Sequence, residues 1–321
     1  MKTIAAADPG ASMPIAHRLA FKFASSGCRG SQHIWKIAYF AQRKPQAGSL
    51  VVLPDGFPLS VNKNDWISRT VYEGTYERPL LQFLDSLRIN ETVIDVGANI
   101  GVTLWHALHG KGANSSFLAF EPSSQCVPSL RMISSRLGVD GVIYNLALGE
   151  TNEIRTIYGL GNQSHSGLAS LIPNTNLDGT REDVQVRNLD NILEERKGQS
   201  RISLLKIDTE GYEEFVIKGS QRIFSSGLVG VFVIEVSPEF GEVAYLDNVN
   251  RGLGPEYLWF VLETKGVLKS RPHLRRISLS QAKALKSQWN LVILRQDVFN
   301  ESLDRDSKFF SKVVFDTNNL R

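Results

Sequence analysis

The stretch Val93-Ile94-Asp95-Val96-Gly97-Ala98-Asn99-Ile100-Gly101 decides the fold. A short apolar strand ends at Gly97, a second glycine follows four positions on, and the helical pattern of Thr103–His109 begins. Glycine lets a backbone take positive φ and come close to a ligand. The N–H groups at a helix start favour an anion or a carboxylate, and in an open α/β sheet ligands bind outside the carboxyl ends of the strands. Strand, glycine turn and helix therefore predict a sheet whose first crossover is built around a cofactor.

The same alternation runs outward in both directions. Phe117–Phe120 is a strand that ends at Glu121, Ser129–Leu137 continues a helix with Pro128 in its first turn, and Val142–Leu148 is a third strand. Leu204–Ile207, a Glu213–Lys218 helix, Val229–Val236 and a late strand at Leu291–Leu294 follow. Strands this continuously apolar are expected where helices cover both faces of a parallel sheet. The prediction is an α/β, doubly wound, mostly parallel sheet. Residues 66–321 form this domain, with helical spacing over Glu77–Leu87 before the first strand. Residues 149–190 interrupt it as an inserted lid or β-extension, with period-2 stretches at Glu153–Tyr158 and Val184–Arg187. Residues 1–65 are an N-terminal extension. It holds a weak helical stretch, His33–Arg43, and a β-hairpin in which Leu50–Leu53 and Phe57–Val61 flank Asp55-Gly56.

Two cofactors compete for the glycine turn. A dinucleotide site wants G-x-G-x-x-G, whose second glycine admits the pyrophosphate, and Asn99 stands where that glycine would fall. S-adenosylmethionine has no pyrophosphate but carries an ammonium and a carboxylate. Asp95 can pair with the ammonium, directly or through water, N–H groups near Asn99 to Gly101 can take the carboxylate, and Glu121 at the next strand end can accept the ribose hydroxyls. The candidate cofactor-binding residues are Asp95, Gly97, Ala98, Asn99, Gly101, Glu121 and Pro122.

The second dense signal is Leu204-Leu205-Lys206-Ile207-Asp208-Thr209-Glu210-Gly211-Tyr212-Glu213. Side chains alternate along a strand, so Lys206 and Asp208 share a face. A lysine in an apolar buried strand needs a partner, and Asp208 is the obvious one. Asp208 is the first candidate base, Glu210 the second and His165, in the inserted segment, the third. Glu213 reads as an acid at a helix start, and Glu235 is a further acid on the same strand edge. Tyr72, Glu73, Tyr76 and Glu77 are candidates for lining the site.

These motifs together resemble the FkbM-family methyltransferases. The resemblance rests on Asp95-Val96-Gly97-Ala98-Asn99-Ile100-Gly101, Ala119-Phe120-Glu121-Pro122 and Leu205–Glu213, with support from Ser166–Leu171 and Val186–Asp190, and covers roughly residues 70–240. It implies a class I, Rossmann-like methyltransferase fold and S-adenosylmethionine-dependent O-methylation of a hydroxyl on a small-molecule or glycan acceptor. Some related O-methyltransferases bind Mg²⁺ at these strand ends. Here Asp208 and Glu235 could supply two oxygens, but Val236 follows where a further ligand would be wanted, so Mg²⁺ is not favoured.

Rival readings are a nicotinamide-dependent oxidoreductase, a binding protein of the same fold without turnover, and a methyltransferase acting on protein. Nucleic acid is not an expected partner: 36 basic and 33 acidic side chains leave a net charge of only +3 over 321 residues. Arg271, Arg275 and Arg276 read as a solvated face. Two cysteines, Cys28 and Cys126, exclude a disulfide scaffold and point to free thiols. No stretch approaches the roughly 18 apolar residues of a membrane span, and the chain reads as cytoplasmic.

Overall fold

The computed structural model describes residues 48–62, 65–111, 114–160, 169–172, 180–196, 201–238, 243–265, 271–303 and 314–316, together with Ile15, Arg18, Leu19 and Lys22. Cys28, the stretch His33–Arg43, His165 and the segment 166–168 lie outside the described residues.

The chain opens with a hairpin of β1 (Leu50–Val52) and β2 (Pro58–Ser60), paired Leu50 to Ser60. Asp55 fixes its turn by accepting from the Phe57 N–H at 3.0 Å. Helices α1 (Trp66–Tyr72) and α2 (Arg78–Ser86) lead into β3 (Thr92–Val96), α3 (Val102–Leu108), β4 (Ser116–Phe120), α4 (Val127–Leu137) and β5 (Asp140–Tyr144). A small sheet of β6 (Ala147–Leu148), β7 (Glu153–Leu160) and β8 (Thr180–Arg187) follows, ordered β6-β8-β7. The chain then returns through α5 (Leu189–Glu195), β9 (Ile202–Ile207), α6 (Glu213–Lys218), α7 (Gln221–Ser225), β10 (Val229–Val236) and α8 (Leu246–Gly252). It closes with β11 (Tyr257–Lys265), β12 (Arg271–Arg276), α9 (Leu279–Lys283), β13 (Trp289–Arg295), α10 (Gln296–Leu303) and β14 (Val314–Asp316).

Nine strands form the main sheet, in the order β14-β12-β11-β13-β10-β9-β3-β4-β5. The run β5-β4-β3-β9-β10 is parallel throughout, and β13 lies antiparallel between β10 and β11. Alternate residues feed two cores. Ile94, Val96, Leu205 and Ile207 pack one way against Leu189, Val216, Phe224 and Leu246 of α5 to α8. Val93 and Leu204 pack the other way with Leu80, Phe83, Leu104 and Leu130 of α2 to α4. Both faces are covered, which is why these strands carry unbroken apolar runs, and the sheet is the doubly wound, mostly parallel one expected.

The chain steps from β3 outward to β4 and β5, then crosses back to place β9 on the other flank of β3. Ligands bind where strand order reverses in this way. Three details differ from the sequence reading. The third strand is broken into β5 and β6 because the Asn145 amide turns inward, donating to the carbonyls of Glu121 (3.0 Å) and Pro122 (2.9 Å). Strands β11, β12 and β14 extend the sheet beyond those read. Arg271, Arg275 and Arg276 belong to β12, where Arg275 Nε donates to Glu263 Oε1 at 2.8 Å instead of facing solvent alone. The hairpin packs Phe57 and Leu59 against Ile67, Val71, Val102 and Trp105, joining the extension to α1 and α3. No described helix is long and apolar enough to cross a membrane.

Candidate active site

Main-chain hydrogen bonds carry the sheet register past the strand ends. Asp208 N donates to Val96 O (3.1 Å), Gly97 N to Phe120 O (2.9 Å) and Glu121 N to Tyr144 O (3.0 Å). Gly97, Glu121 and Asp208 are thereby lined up along one carboxyl edge. Gly97 sits at φ 76°, and a Cβ there would lie 1.8 Å from the Asp208 carbonyl oxygen. Only glycine lets β3 and β9 come this close.

Beneath this edge lies a buried ion cluster. Lys206, 2% exposed, is the residue opposite Asp95 in the β3–β9 ladder. Its Nζ stands 3.0 Å from Asp208 Oδ2 and 3.5 Å from Asp95 Oδ1. Burial alone would lower the lysine's pKa, and the two carboxylates outweigh it and raise it. Asp95 also accepts from Thr103 Oγ1 at 2.8 Å and is 1% exposed. Burial leaves its carboxyl above the usual range, with Lys206 and Thr103 opposing. Asp95 therefore stands behind Lys206, off the cavity wall, so of the two pairings with a ligand ammonium read from the sequence, direct or through water, the geometry leaves the indirect one. The strand pairing, invisible along the chain, is the reason.

The glycine turn also differs from its reading. Glu121 is buried, its Oε2 accepting from Asn99 N and its Oε1 from Ser123 N, both at 2.8 Å. Asn99 adopts φ 48°, a conformation that asparagine tolerates better than most side chains. Its Oδ1 accepts from Ile100 N at 2.7 Å, and Gly101 N donates to Ala98 O at 2.8 Å. The N–H groups of Asn99 to Gly101, expected to meet a carboxylate, are thus used within the protein. Gly101 serves packing, because a Cβ there would press on Ile133 and Leu130 of α4 at 3.1–3.2 Å.

Acids crowd the ends of β9 and β10. Burial, then Asp208 and Glu213, push Glu210 up to about 8, and its backbone is held at φ 52°. Burial, then Asp208 and Glu210, push Glu235 up to about 11. Glu213 accepts from Thr209 N (2.7 Å), Thr209 Oγ1 (3.0 Å) and Gly211 N (3.3 Å), so it caps this turn. Glu121 is raised to about 7, by burial against the two N–H donors that favour its charge.

These groups surround a cavity of about 80 Å³ lined by Gly97–Ile100, Val102, Thr103, Glu121, Pro122 and Asp208–Glu210. Of the residues singled out before the first strand, Tyr76 lines it, while Tyr72 is buried in the hairpin cluster. Ile67 and the roof residues Leu148, Ile157 and Leu171 had no sequence signal beyond being apolar. The roof is the small sheet. It is tied down by Ser124 Oγ donating to Glu182 Oε2 (2.9 Å), Ser170 Oγ donating to Glu210 O (2.9 Å) and Arg155 donating to Tyr212 OH (2.7 Å).

Among the described residues no three His, Cys, Asp or Glu side chains are grouped to hold a metal ion. The Mg²⁺ reading through Asp208 and Glu235 gains no support.

A family model described as the methyltransferase FkbM domain matches residues 95–254. Solved structures similar to the chain include the following three. Precorrin-6y C5,15-methyltransferase from Geobacter metallireducens GS-15 has 11% identity, 68% of this chain and 89% of that one covered, and a TM-score of 0.35. An rRNA methylase from Streptococcus thermophilus has 14% identity, with 68% and 98% covered and a TM-score of 0.34. The O-methyltransferase from Bacillus cereus in complex with SAH has 12% identity, with 68% and 80% covered and a TM-score of 0.32. No curated protein matches the chain. By its domain at residues 95–254, the chain belongs to the FkbM methyltransferase family.

Proposed function

We propose that the protein is an S-adenosylmethionine-dependent O-methyltransferase that methylates a hydroxyl of a small-molecule or glycan acceptor by direct displacement. The observation that carries this reading is the convergence of the glycine turn, Glu121 and Asp208 on one cavity.

The donor set suits the cofactor. A carboxylate offers about four acceptor positions, and the two N–H bonds to Glu121 leave capacity for a pair of ribose hydroxyls. Ile100, Pro122, Leu148 and Ile157 give apolar walls for a purine, and Asp208 lies toward the opposite side with Glu210. Asp95 then acts at one remove, holding Lys206, which in turn orients Asp208. At about 80 Å³ the cavity is smaller than the roughly 300 Å³ or more of a typical ligand pocket, so the small sheet lifts for entry.

When bound, S-adenosylmethionine supplies a methyl group on a sulfonium, already activated for displacement. The protein's part is orientation and proton transfer. Holding the acceptor hydroxyl in line can supply about 7–11 kcal/mol of the barrier. Glu210 is the stronger candidate for taking the hydroxyl proton, because a base poised near the working pH is the most effective. Asp208, pinned by Lys206, accepts a hydrogen bond from the same hydroxyl and aims it. A positioned base is worth about 10²–10⁴-fold.

The test is transfer of a trideuteriomethyl group from labelled S-adenosylmethionine to a panel of alcohols and amines, read by mass spectrometry. Label on an alcohol oxygen supports the proposal. Label on nitrogen alone refutes the O-directed part, and no transfer despite tight cofactor binding refutes turnover.

A further inference from the structure

A second, more open cleft of about 410 Å³ adjoins the first cavity, lined among others by Glu77, Glu235, Gln288, Trp289 and Asn290. The partition is thin. Tyr76 lines the first cavity, and its chain neighbours Thr75 and Glu77 line the second. Burial, with Asp208, Glu77, Glu210 and Glu235, raises the Tyr76 phenol well above its ordinary pKa, so that phenol lies among carboxyls from both cavities.

The topology explains how the cleft is built. Strand β13 runs antiparallel to β10, so it begins where β10 ends, pairing Asn290 with Glu235 and Trp289 with Val236. Residues 288–290 are thereby delivered to the active edge. Asn290 Nδ2 donates to Glu77 Oε2 at 3.2 Å, and Gln288 Nε2 donates to Glu235 Oε1. Two carboxyl–carboxamide pairs and a half-buried indole, from three separate segments, face one space.

We infer that this cleft is the acceptor subsite, and that it takes the body of an uncharged, polyhydroxylated acceptor whose methylated hydroxyl reaches past Tyr76 to Glu210. This rests on the methyltransferase reading above and adds where the acceptor lies and what chemistry it has. Each hydroxyl of a polyol both gives and accepts a hydrogen bond. Carboxyl–carboxamide pairs offer acceptors and donors side by side to match. Trp289 gives a flat apolar face for the ring C–H side. An alkyl acceptor would leave the remaining donor and acceptor positions of these pairs unmet. A phosphate or carboxylate would find the carboxyls of Glu77 and Glu235 where it wants donors. Arg78 also lines the cleft, which makes a phosphorylated polyol the rival to separate.

The experiment uses the full chain with S-adenosylmethionine and three probes: methyl glucopyranoside, its 6-phosphate and 1-heptanol. Cofactor affinity is measured in parallel by calorimetry. The inference predicts kcat/KM for the neutral glycoside at least about tenfold above the other two. It also predicts that Gln288→Ala and Asn290→Ala each raise the glycoside KM about tenfold, with the change in KM rather than kcat and cofactor affinity unchanged. Preference for the phosphate or the alkanol overturns the inference, as does a glycoside KM unmoved in both variants. Unchanged cofactor affinity shows that the variants are folded. Cofactor binding without glycoside turnover defeats this inference alone, whereas failure of the wild type to bind the cofactor defeats the methyltransferase reading as well.

Discussion

Asp95 and Lys206 face each other as partners in the parallel ladder of β3 and β9, with 3.5 Å between Oδ1 and Nζ and almost no exposure on either. The ammonium so held also reaches Asp208, at 3.0 Å, on the edge of the cavity. A residue deep in one strand thus fixes the aim of a carboxylate at the end of its neighbour.

Removing the cation leaves the buried Asp95 and the half-buried Asp208 without a counter-charge. Breaking a buried pair from one side typically costs about 3–5 kcal/mol. Lys206→Met is expected to lose stability on that scale at pH 7 in denaturant titration, and less at low pH where the acids are protonated. A loss under about 1 kcal/mol would mean that the cluster is not held as the contacts indicate.

Two glycines make a matched comparison. Gly97→Ala places a Cβ 1.8 Å from the Asp208 carbonyl, whereas Gly110→Ala, also at positive φ, meets nothing within 4 Å. The second change should cost only the left-handed penalty, roughly 1–2 kcal/mol. The first should cost more and abolish cofactor binding by moving the end of β9. Equal effects in melting and binding assays would show that the close approach is not what Gly97 provides.

Glu121 gives the cofactor site a pH dependence. Its carboxyl is held near 7, and ribose hydroxyls donate to the ionised form. Affinity should be level above about pH 7 and fall roughly tenfold per unit below it. Glu121→Gln should bind weakly with no such slope. Linkage has the opposite sign for the unliganded protein. An acid raised from 4.5 to about 7 on folding makes the fold less stable as pH rises through that window, because the unfolded chain has already released the proton. Calorimetry and thermal melts across pH 5–8 would check both slopes.

Glu210, raised to about 8, should make the methyl-transfer rate climb with pH and level off above about 8. Glu210→Gln should flatten that profile and lower kcat by about 10²-fold or more. If the slope persists in Glu210→Gln and vanishes in Asp208→Asn, the base is Asp208.

The roof offers a kinetic test. Glu182 ties the small sheet to Ser124 at the rim of the cavity. Glu182→Ala should speed both cofactor association and dissociation in stopped-flow measurements, leaving the equilibrium constant within a few-fold. An unchanged association rate would place the entry route elsewhere.

Much of this was legible in the sequence. The apolar runs of β3, β4, β9 and β10 gave the doubly wound sheet, and the acids at their ends were found by position: Glu121 and Asp208 stand on the expected edge. The rest depended on pairing between strands. Lys206 could be matched with Asp208 along its own strand, but Asp95 came to it only through the β3–β9 register. Gln288 and Asn290 look like surface amides until β13 is seen to start where β10 ends. Gly101 reads as a ligand contact along the chain, but α4, distant in sequence, fills the space beside it.

The most direct measurement is a calorimetric titration of S-adenosylmethionine into the wild type and into Glu121→Ala and Asp208→Asn at pH 8. The account predicts binding with a Kd on the order of micromolar in the wild type, and a loss of at least about tenfold, or about 1.4 kcal/mol, in Glu121→Ala. Asp208→Asn should bind but transfer methyl slowly. Absence of binding in the wild type, or undiminished affinity in Glu121→Ala, would contradict the claim that this cavity is the cofactor site.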